Sequence, residues 1–548
     1  MMRDPKKLAD NTFDLLIVGG GIYGAVLSWM ASLTGFSVGI IDKGDFAQGT
    51  SANTMKIIHG GLRYIQQMDL PRIRQSLRER QRMMWLAPHL VHLLPCVTPV
   101  YDHGMQGKEL MNAALLLYDM IGIDRNRLPD PSKYIPRGRM LSVLETNRLI
   151  SSLPQQGLKG AAQWYDSLCF NTERLVLAFV KSASKFGAVA ANYVMATKLI
   201  QRRDSVIGIQ ARDQLTGEKF EILAKNIVNC TGPWVNDLLR TLGLPSEPPE
   251  IKFASGINII VKRLFPLPVA VGIKNRSAKH SQLYFVVPWR GKSIVGTEWF
   301  PYDGHPDDHE ITEHHLLQLI NGFNSAYPPA KLNIDDVIYI HKGLVPFDNS
   351  VSKHNSGIPI LRHFRLLDHR KYGVNGLISV VSVKYTTAGY VAERVLKFLF
   401  PTVKIESLLS QPRLDGGDID YIELNQNQIE TKWRSILGGK EVKRLMFNYG
   451  TEAEKVLQLA HNETRSDPSN TNHSFNILKG EALFAIREEM AQKLSDIVFR
   501  RTDLGTAGLP PESDIKTISQ LMAREMGWTE GRTKAEIEEV WRSYPRVS

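Results

Sequence analysis

The 548 residues include only three cysteines, Cys96, Cys169 and Cys230. They lie far apart, form no CxxC pair and sit among apolar neighbours. That pattern excludes a disulfide framework and a cysteine-bound metal, and suits buried thiols in a reducing compartment. Low-complexity tracts are missing as well, and with 43% hydrophobic and 22% charged residues the composition is that of a packed chain. No histidine cluster has metal-ligand spacing: His461, Asn462 and His473 read as a polar loop, and no metal is expected. Lys and Arg outnumber Asp and Glu 67 to 56, giving a charge of +11, yet no basic-aromatic module accompanies the surplus. Anionic metabolites or acidic lipid are therefore the expected partners, and nucleic acid is not. One core is too few for this length, and about two to four domains are expected.

Charge is also absent from the whole stretch Leu15 to Ile41, which is long enough to span a bilayer. Repeated glycines interrupt it, however, and Asp4, Asp10 and Asp14 precede it where a signal peptide carries positive charge. With neither a leader nor a credible span, a cytoplasmic chain is expected.

What the stretch does contain is a strand, a glycine turn, a helix and a second strand. Phe13 to Val18 is apolar except for Asp14; Gly19, Gly21 and Gly24 follow with GxGxxG spacing, and Val38 to Ile41 leads into Asp42. This order is that of a Rossmann unit. Gly19 permits the tight turn, Gly21 lets backbone approach a pyrophosphate, Gly24 lets helix and strand pack closely, and Asp42 is placed to accept ribose hydroxyls. On this unit alone NAD and FAD both remain open.

The continuation runs Gly49-Thr50-Ser51-Ala52-Asn53-Thr54-Met55-Lys56-Ile57-Ile58-His59-Gly60-Gly61-Leu62-Arg63-Tyr64. It resembles the FAD-dependent glycerol-3-phosphate dehydrogenases and oxidases, whose pattern is close to G-T-S-S-x-S-S/T-K-L-I-H-G-G-L-R-Y-L. Further matches follow in order: Asp166 with Arg174-Leu175, Asn229 to Trp234, Val287-Pro288-Trp289, Gly296-Thr297, Leu414 to Asp418 and Asp496 to Thr502. The resemblance covers nearly the whole chain. It implies an α/β protein with a Rossmann-type FAD-binding domain, an antiparallel-sheet substrate domain and a C-terminal helical domain. The oxidoreductase region is expected over 10–410, with FAD-binding pieces near 10–90, 160–250 and 350–400 and the substrate sheet near 250–350. The helical domain is expected over 419–548.

Two segments carry their own pattern. Short apolar runs such as Ile257 to Val261, Leu283 to Val287 and Ile294 to Thr297, separated by polar residues, read as the strands of an antiparallel sheet. Leu483, Ile486, Met490, Leu494 and Ile497 recur at spacings of three and four and predict one amphipathic helix. Pro71 to Arg82 carries Arg72, Arg74, Arg78, Arg80 and Arg82 and is read as a helix with a solvated basic face, a membrane-surface contact being the alternative.

By resemblance, FAD is the cofactor. Its contacts are expected from Gly19, Gly21, Ile22, Tyr23, Gly24, Asp42, Lys43, Thr50, Ser51, His59, Gly60, Gly61, Leu62, Val194, Thr231, Gly232, Trp234, Lys384 and Thr386. The substrate is expected to meet Arg63, Tyr64, Asn258, Arg362 and Lys384, with Lys384 and Arg63 as the catalytic residues. A quinone or oxygen is the implied acceptor, with peripheral contact at the inner membrane. Three departures stand out. Val345 replaces an arginine expected beside the reacting carbon, Asn258 replaces a histidine, and Ser382-Val383 replace a glycine pair before Lys384. Oxidation of sn-glycerol 3-phosphate to dihydroxyacetone phosphate is the first expectation. A related oxidase of another phosphorylated or anionic alcohol or amine, and a non-catalytic flavoprotein, are the alternatives.

Overall fold

A computed structural model describes all residues except 2, 102–106, 151, 242–249, 276–281, 349–357, 408–409, 434–436, 467–475 and 545–548. Leu15–Val18 is buried along its whole length and forms an inner strand of a six-stranded sheet. Across that sheet the strands run Arg365–Asp368, Leu377–Val381, Ile227–Asn229, Leu15–Val18, Val38–Ile41 and Val189–Ala191. All neighbours are parallel except the edge strand Arg365–Asp368. Helices cover such a sheet, so its strands are apolar on both faces.

One covering helix, Ile22–Leu33, is buried nearly all round and packs on helices Thr172–Lys185 and Ala388–Leu399. The Trp29 and Phe179 rings meet edge to face at 5.4 Å within this core. A four-stranded sheet made of Thr12–Phe13, Lys219–Ala224, Ser205–Asp213 and Val194–Arg202 lies alongside.

The largest sheet has nine strands, and it reaches well beyond residues 250–350. Phe253–Lys262, Lys292–Tyr302, Leu283–Trp289 and Tyr339–Pro346 form its antiparallel half. Val91–Tyr101 and Leu158–Cys169 extend it, paired antiparallel over almost their whole length. Pro95 and Pro99 interrupt the strand signal of the first of these, which hides it in the sequence.

The C-terminal part is helical, through Ile422–Trp433, Gly439–Tyr449, Ala453–Ser466, Ile477–Glu488, Glu512–Met526 and Glu530–Arg542. The single helix expected through Leu483, Ile486, Met490, Leu494 and Ile497 is two elements instead. Helix Ile477–Glu488 stops, Met490 takes a left-handed φ of 54°, and the chain restarts at Leu494–Asp496. Met490 leaves the helical core and packs into that of the six-stranded sheet. His461 and Asn462 lie on helix Ala453–Ser466 and not in a loop, while His473 falls outside the described residues. Among the described residues no three His, Cys, Asp or Glu side chains gather as a metal site. The three cysteines are buried and free.

The arginine-rich segment is a helix, Leu70–Leu86, but its basic face is not solvated throughout. Arg74 and Arg78 are exposed, whereas Arg72, Arg80 and Arg82 are 7%, 0% and 1% exposed. Arg82 pairs with Glu79 and Glu393, and Arg80 with Asp166. Glu79 on the same helix and Asp166 and Glu393 from distant segments supply the counter-charge that burial demands.

Candidate functional site

The glycine turn is closed by sterics. Gly19 has a φ of 109°, and a Cβ there would stand 2.4 Å from the Cys230 carbonyl oxygen. A Cβ on Gly24 would meet the Gly19 oxygen at 1.9 Å. Backbone is thus held against backbone, and the helix beginning at Ile22 aims its first amides toward the turn. The Ile22 amide donates to Ser51 Oγ at 3.0 Å, so Ser51 sits at the helix start, beside amides of the kind that can meet an anion. Asp42 is oriented by the Gly20 amide at 2.7 Å and the Gly44 amide at 2.9 Å. Burial raises its carboxyl to about 6, with those two amides opposing the rise.

Val194 fixes the strand beside it, its amide donating to the Asp42 carbonyl at 2.8 Å. Thr231 Oγ1 donates to Asn229 Oδ1 at 2.6 Å, and Gly232 follows with a φ of 60°. Lys43 lies 4.2 Å over the Trp234 ring. Asp307, which the sequence did not single out, joins the two, 2.6 Å from Lys43 Nζ and 2.8 Å from Trp234 Nε1.

The segment that follows crosses to the large sheet. Thr50 Oγ1 donates to the Leu344 carbonyl at 3.1 Å, and His341 Nδ1 lies 3.1 Å from the Thr54 carbonyl. His59, Gly60 and Gly61 then turn above a buried support. The Gly60 amide donates to Asp166 Oδ1 at 2.6 Å, and Trp164 Nε1 and Arg80 Nη1 reach the same carboxylate at 3.0 and 3.2 Å. Thr386 Oγ1 accepts from the His59 amide at 3.3 Å. Gly61 has a φ of 85° and caps the short helix Leu62–Gln67, which presents Arg63 and Tyr64.

Tyr64 is the meeting point of the predicted clamp. Lys384 Nζ lies 4.4 Å over its ring and donates to the Arg362 carbonyl at 3.2 Å. Burial, and after it the Arg72 charge, lower the Lys384 ammonium to about 7, with Asp69 opposing. Arg63 and Arg362 are exposed beside this group. The sequence reading missed Arg72, whose guanidinium carbon lies 3.8 Å over the same ring. It also missed His363, 3.7 Å from Asp69.

Asn258 is placed differently. It is 4% exposed in the large sheet and accepts from Thr297 Oγ1 at 2.7 Å. Val345 is 8% exposed, paired with Ala254. The Ser382 departure has a local cause: its hydroxyl donates to the Tyr23 hydroxyl at 2.7 Å, and Tyr23 donates to the Lys384 carbonyl at 2.6 Å. Helix Ile22–Leu33 is thereby tied to the segment that carries the site lysine.

A dinucleotide turn on a mostly parallel sheet, with a large, mostly antiparallel sheet meeting its Thr50 segment, is the architecture of an FAD-dependent oxidoreductase. Residues 14–382 match the model of the family described as FAD dependent oxidoreductase, and 410–533 that of the C-terminal domain of alpha-glycerophosphate oxidase. The chain belongs to the FAD-dependent glycerol-3-phosphate dehydrogenase and oxidase family. It is 31% identical to a glycerol-3-phosphate dehydrogenase of Synechocystis sp., across 98% of this chain and 97% of that one. An aerobic glycerol-3-phosphate dehydrogenase of Staphylococcus haemolyticus is 28% identical, across 91% and 88%. The crystal structure of glycerol-3-phosphate dehydrogenase from Bacillus halodurans complexed with FAD shares the fold, with a TM-score of 0.78 at 24% identity over 98% of this chain and 95% of that one.

Proposed function

We propose that this enzyme oxidises a small phosphorylated alcohol, sn-glycerol 3-phosphate first among them, to the ketone, and passes the electrons to a quinone or oxygen. The observation that carries this reading is the gathering of Lys384, Arg63 and Arg362 about Tyr64, beside the turn His59–Gly61. Cations on one side of an FAD site hold an anionic end while leaving the carbinol free to face the ring.

The glycine turn and Ser51 hold the pyrophosphate and Asp42 the ribose, with Ile22, Tyr23, Lys43, Val194, Thr231, Gly232 and Trp234 around them. Thr50, His59 to Leu62, Lys384 and Thr386 would line the flavin ring. What FAD supplies there, when bound, is the hydride acceptor. Lys384 and Arg63 neutralise the substrate's phosphate and fix its distance from the ring. Thr386 steadies His59 through its backbone, and Asp166 does the same for Gly60.

A second reading, a different phosphorylated or anionic substrate, is favoured by Asn258 and Val345. An amide has no basic nitrogen to take the carbinol proton, and valine offers no charge. Anaerobic bleaching of the flavin by glycerol 3-phosphate tests the first reading; bleaching only by other phosphorylated alcohols or amines rejects it in favour of the second. Under the second reading, Val345→Arg with Asn258→His is expected to raise the rate of flavin reduction by glycerol 3-phosphate at least tenfold. No rise in single-turnover rate would count against that account of the carbinol end.

Membrane contact is proposed on a different element from the one expected. Among the described residues no helix is long and apolar enough to cross a bilayer. Helix Lys108–Ile121 nonetheless exposes Leu110, Leu116 and Met120 at 50%, 59% and 71%, with Ile123 just beyond it at 85%. Arg74 of the preceding helix bonds to the Ile121 carbonyl at 3.1 Å and pairs with Asp124, which sets an ion pair at the end of this apolar strip. An exposed apolar strip on an amphipathic helix suits a bilayer interface. Leu116→Glu with Met120→Glu is expected to lower binding to anionic vesicles more than tenfold in flotation while flavin reduction in solution is unchanged. Equal flotation would remove the strip from consideration.

A further inference from the structure

Arg72 is one of five arginines on the basic helix segment, yet it lies against Tyr64, where the predicted clamp meets. It lies in the first turn of helix Leu70–Leu86, 7% exposed, and its Nε has no hydrogen-bond partner. The guanidinium stacks at 3.8 Å on the Tyr64 ring that Lys384 meets at 4.4 Å. One carboxylate stands near, Asp69, and its oxygens already accept the Arg72 backbone amide at 3.2 Å and lie 3.7 Å from His363. Burial weakens the hold of Arg72 on its proton, with the Tyr64 and Asp69 charges and a hydrogen bond to Tyr64 opposing and the Arg362 charge adding to it. Buried cations that outnumber their acids are ordinarily balanced by a ligand.

We propose that Arg72 binds the anionic end of the substrate together with Lys384, both cations lying against the Tyr64 ring, and that this pair selects a doubly charged group such as a phosphate monoester. The inference rests on the reading that the Lys384 site holds that end. A planar guanidinium with a free Nε offers the fork that phosphate oxygens match, which an ammonium alone lacks. Two cations held close also raise each other's cost, and a dianion relieves that cost where a monoanion relieves only part of it. The lowered ammonium of Lys384 is the same effect seen from its side: Arg72 is the largest charge acting on it.

The test is titration of FAD-loaded Arg72→Gln and Arg72→Lys with inorganic phosphate, read by the flavin difference spectrum, beside flavin reduction by glycerol 3-phosphate. Arg72→Gln is expected to weaken phosphate at least tenfold and to raise KM for glycerol 3-phosphate similarly, with kcat within about threefold. The variant should also move the alkaline limb of the substrate pH profile upward, because Lys384 loses its repelling neighbour; a purely structural Arg72 would leave that limb in place. Arg72→Lys, which keeps charge and loses the fork, is expected to fall between wild type and Arg72→Gln. Phosphate affinity equal to wild type in whichever variant folds with full FAD overturns the proposal. If glycerol 3-phosphate fails to reduce the wild-type flavin, the substrate reading falls, and phosphate titration still decides Arg72.

Discussion

Asp45→Ala is expected to destabilise the protein by about 3 kcal/mol and to weaken FAD binding at least tenfold, because breaking a buried ion pair leaves its partners uncompensated. Asp45 is 0% exposed and accepts from Arg500 Nε at 2.6 Å, Arg501 Nη1 and Nη2 at 2.7 and 2.8 Å, and Asn192 Nδ2 at 3.0 Å. Both arginines come from the C-terminal helical region, so this carboxylate is where that region grips the nucleotide half. Arg500 keeps Asp496, and Arg501 keeps the Glu489 carbonyl, which places the cost toward the lower end of the range for such pairs. The effect reaches the cofactor through a short path. Asp45 lies three residues from Asp42, the Ala47 amide donates to the Gly20 carbonyl at 3.1 Å, and the Phe46 ring fills the space beside Gly20.

Burial alone would raise the Asp45 carboxyl, but the charges of Arg501 and Arg500 overcome it and hold the group below its ordinary value. A carboxyl lowered in the folded state stabilises the fold above its unfolded pKa, near 4, and that support is lost as pH falls through the folded value. The wild type should therefore lose flavin more steeply below pH 4 than Asp45→Asn, which has no such proton to gain. Thermal release of flavin fluorescence across pH measures both claims. Wild-type FAD affinity in a destabilised Asp45→Ala protein would show that the two regions are joined there without tuning the cofactor.

How much of this was legible depended on distance along the chain. Gly19, Gly21, Gly24 and Asp42 act within one strand-turn-helix-strand unit, so spacing alone conveyed their geometry. Arg80 is buried against Asp166, which lies far away in sequence, and Arg82 joins Glu79 on its own helix to the equally distant Glu393, so only the i,i+3 half of that network is visible locally. Met490 misled for the opposite reason. Its spacing from Ile486 continues a helical stripe, while the left-handed turn at that residue sends it into a different core. Ser382 stands where a glycine is expected, and its partner Tyr23, far away in sequence, is joined to it only by the fold. Arg72 had the right chemistry in plain view, but four neighbouring arginines made it look like one face of a charged helix.

Lys384→Met is expected to lower kcat/KM for a phosphorylated substrate by about 10²–10³-fold, since removing one partner of a desolvated, charge-assisted contact costs about 3–4 kcal/mol. The loss should fall on KM, because the methionine still fills the space over Tyr64. Flavin content should hold, because Tyr23 bonds to the backbone of Lys384 and not to its ammonium. The pH profile provides the sharper reading. Lys384 ionises near 7 in the free protein, so its positive charge is present below that pH and fades above it. A phosphate monoester gains its second negative charge near pH 6. Wild-type kcat/KM should thus climb through about 6 and decline above about 7. The other titratable groups facing the site cannot produce that decline. Burial pulls His59 to about 4, and burial followed by the Arg72 charge lowers His363 below its usual range. Tyr64 is raised by burial. In Lys384→Met the decline should vanish while the climb remains, and in Lys384→Arg the site should stay charged throughout the alkaline range. A methionine variant whose kcat/KM still declines above pH 7 would assign that ionisation to another group and take the substrate's anion away from Lys384.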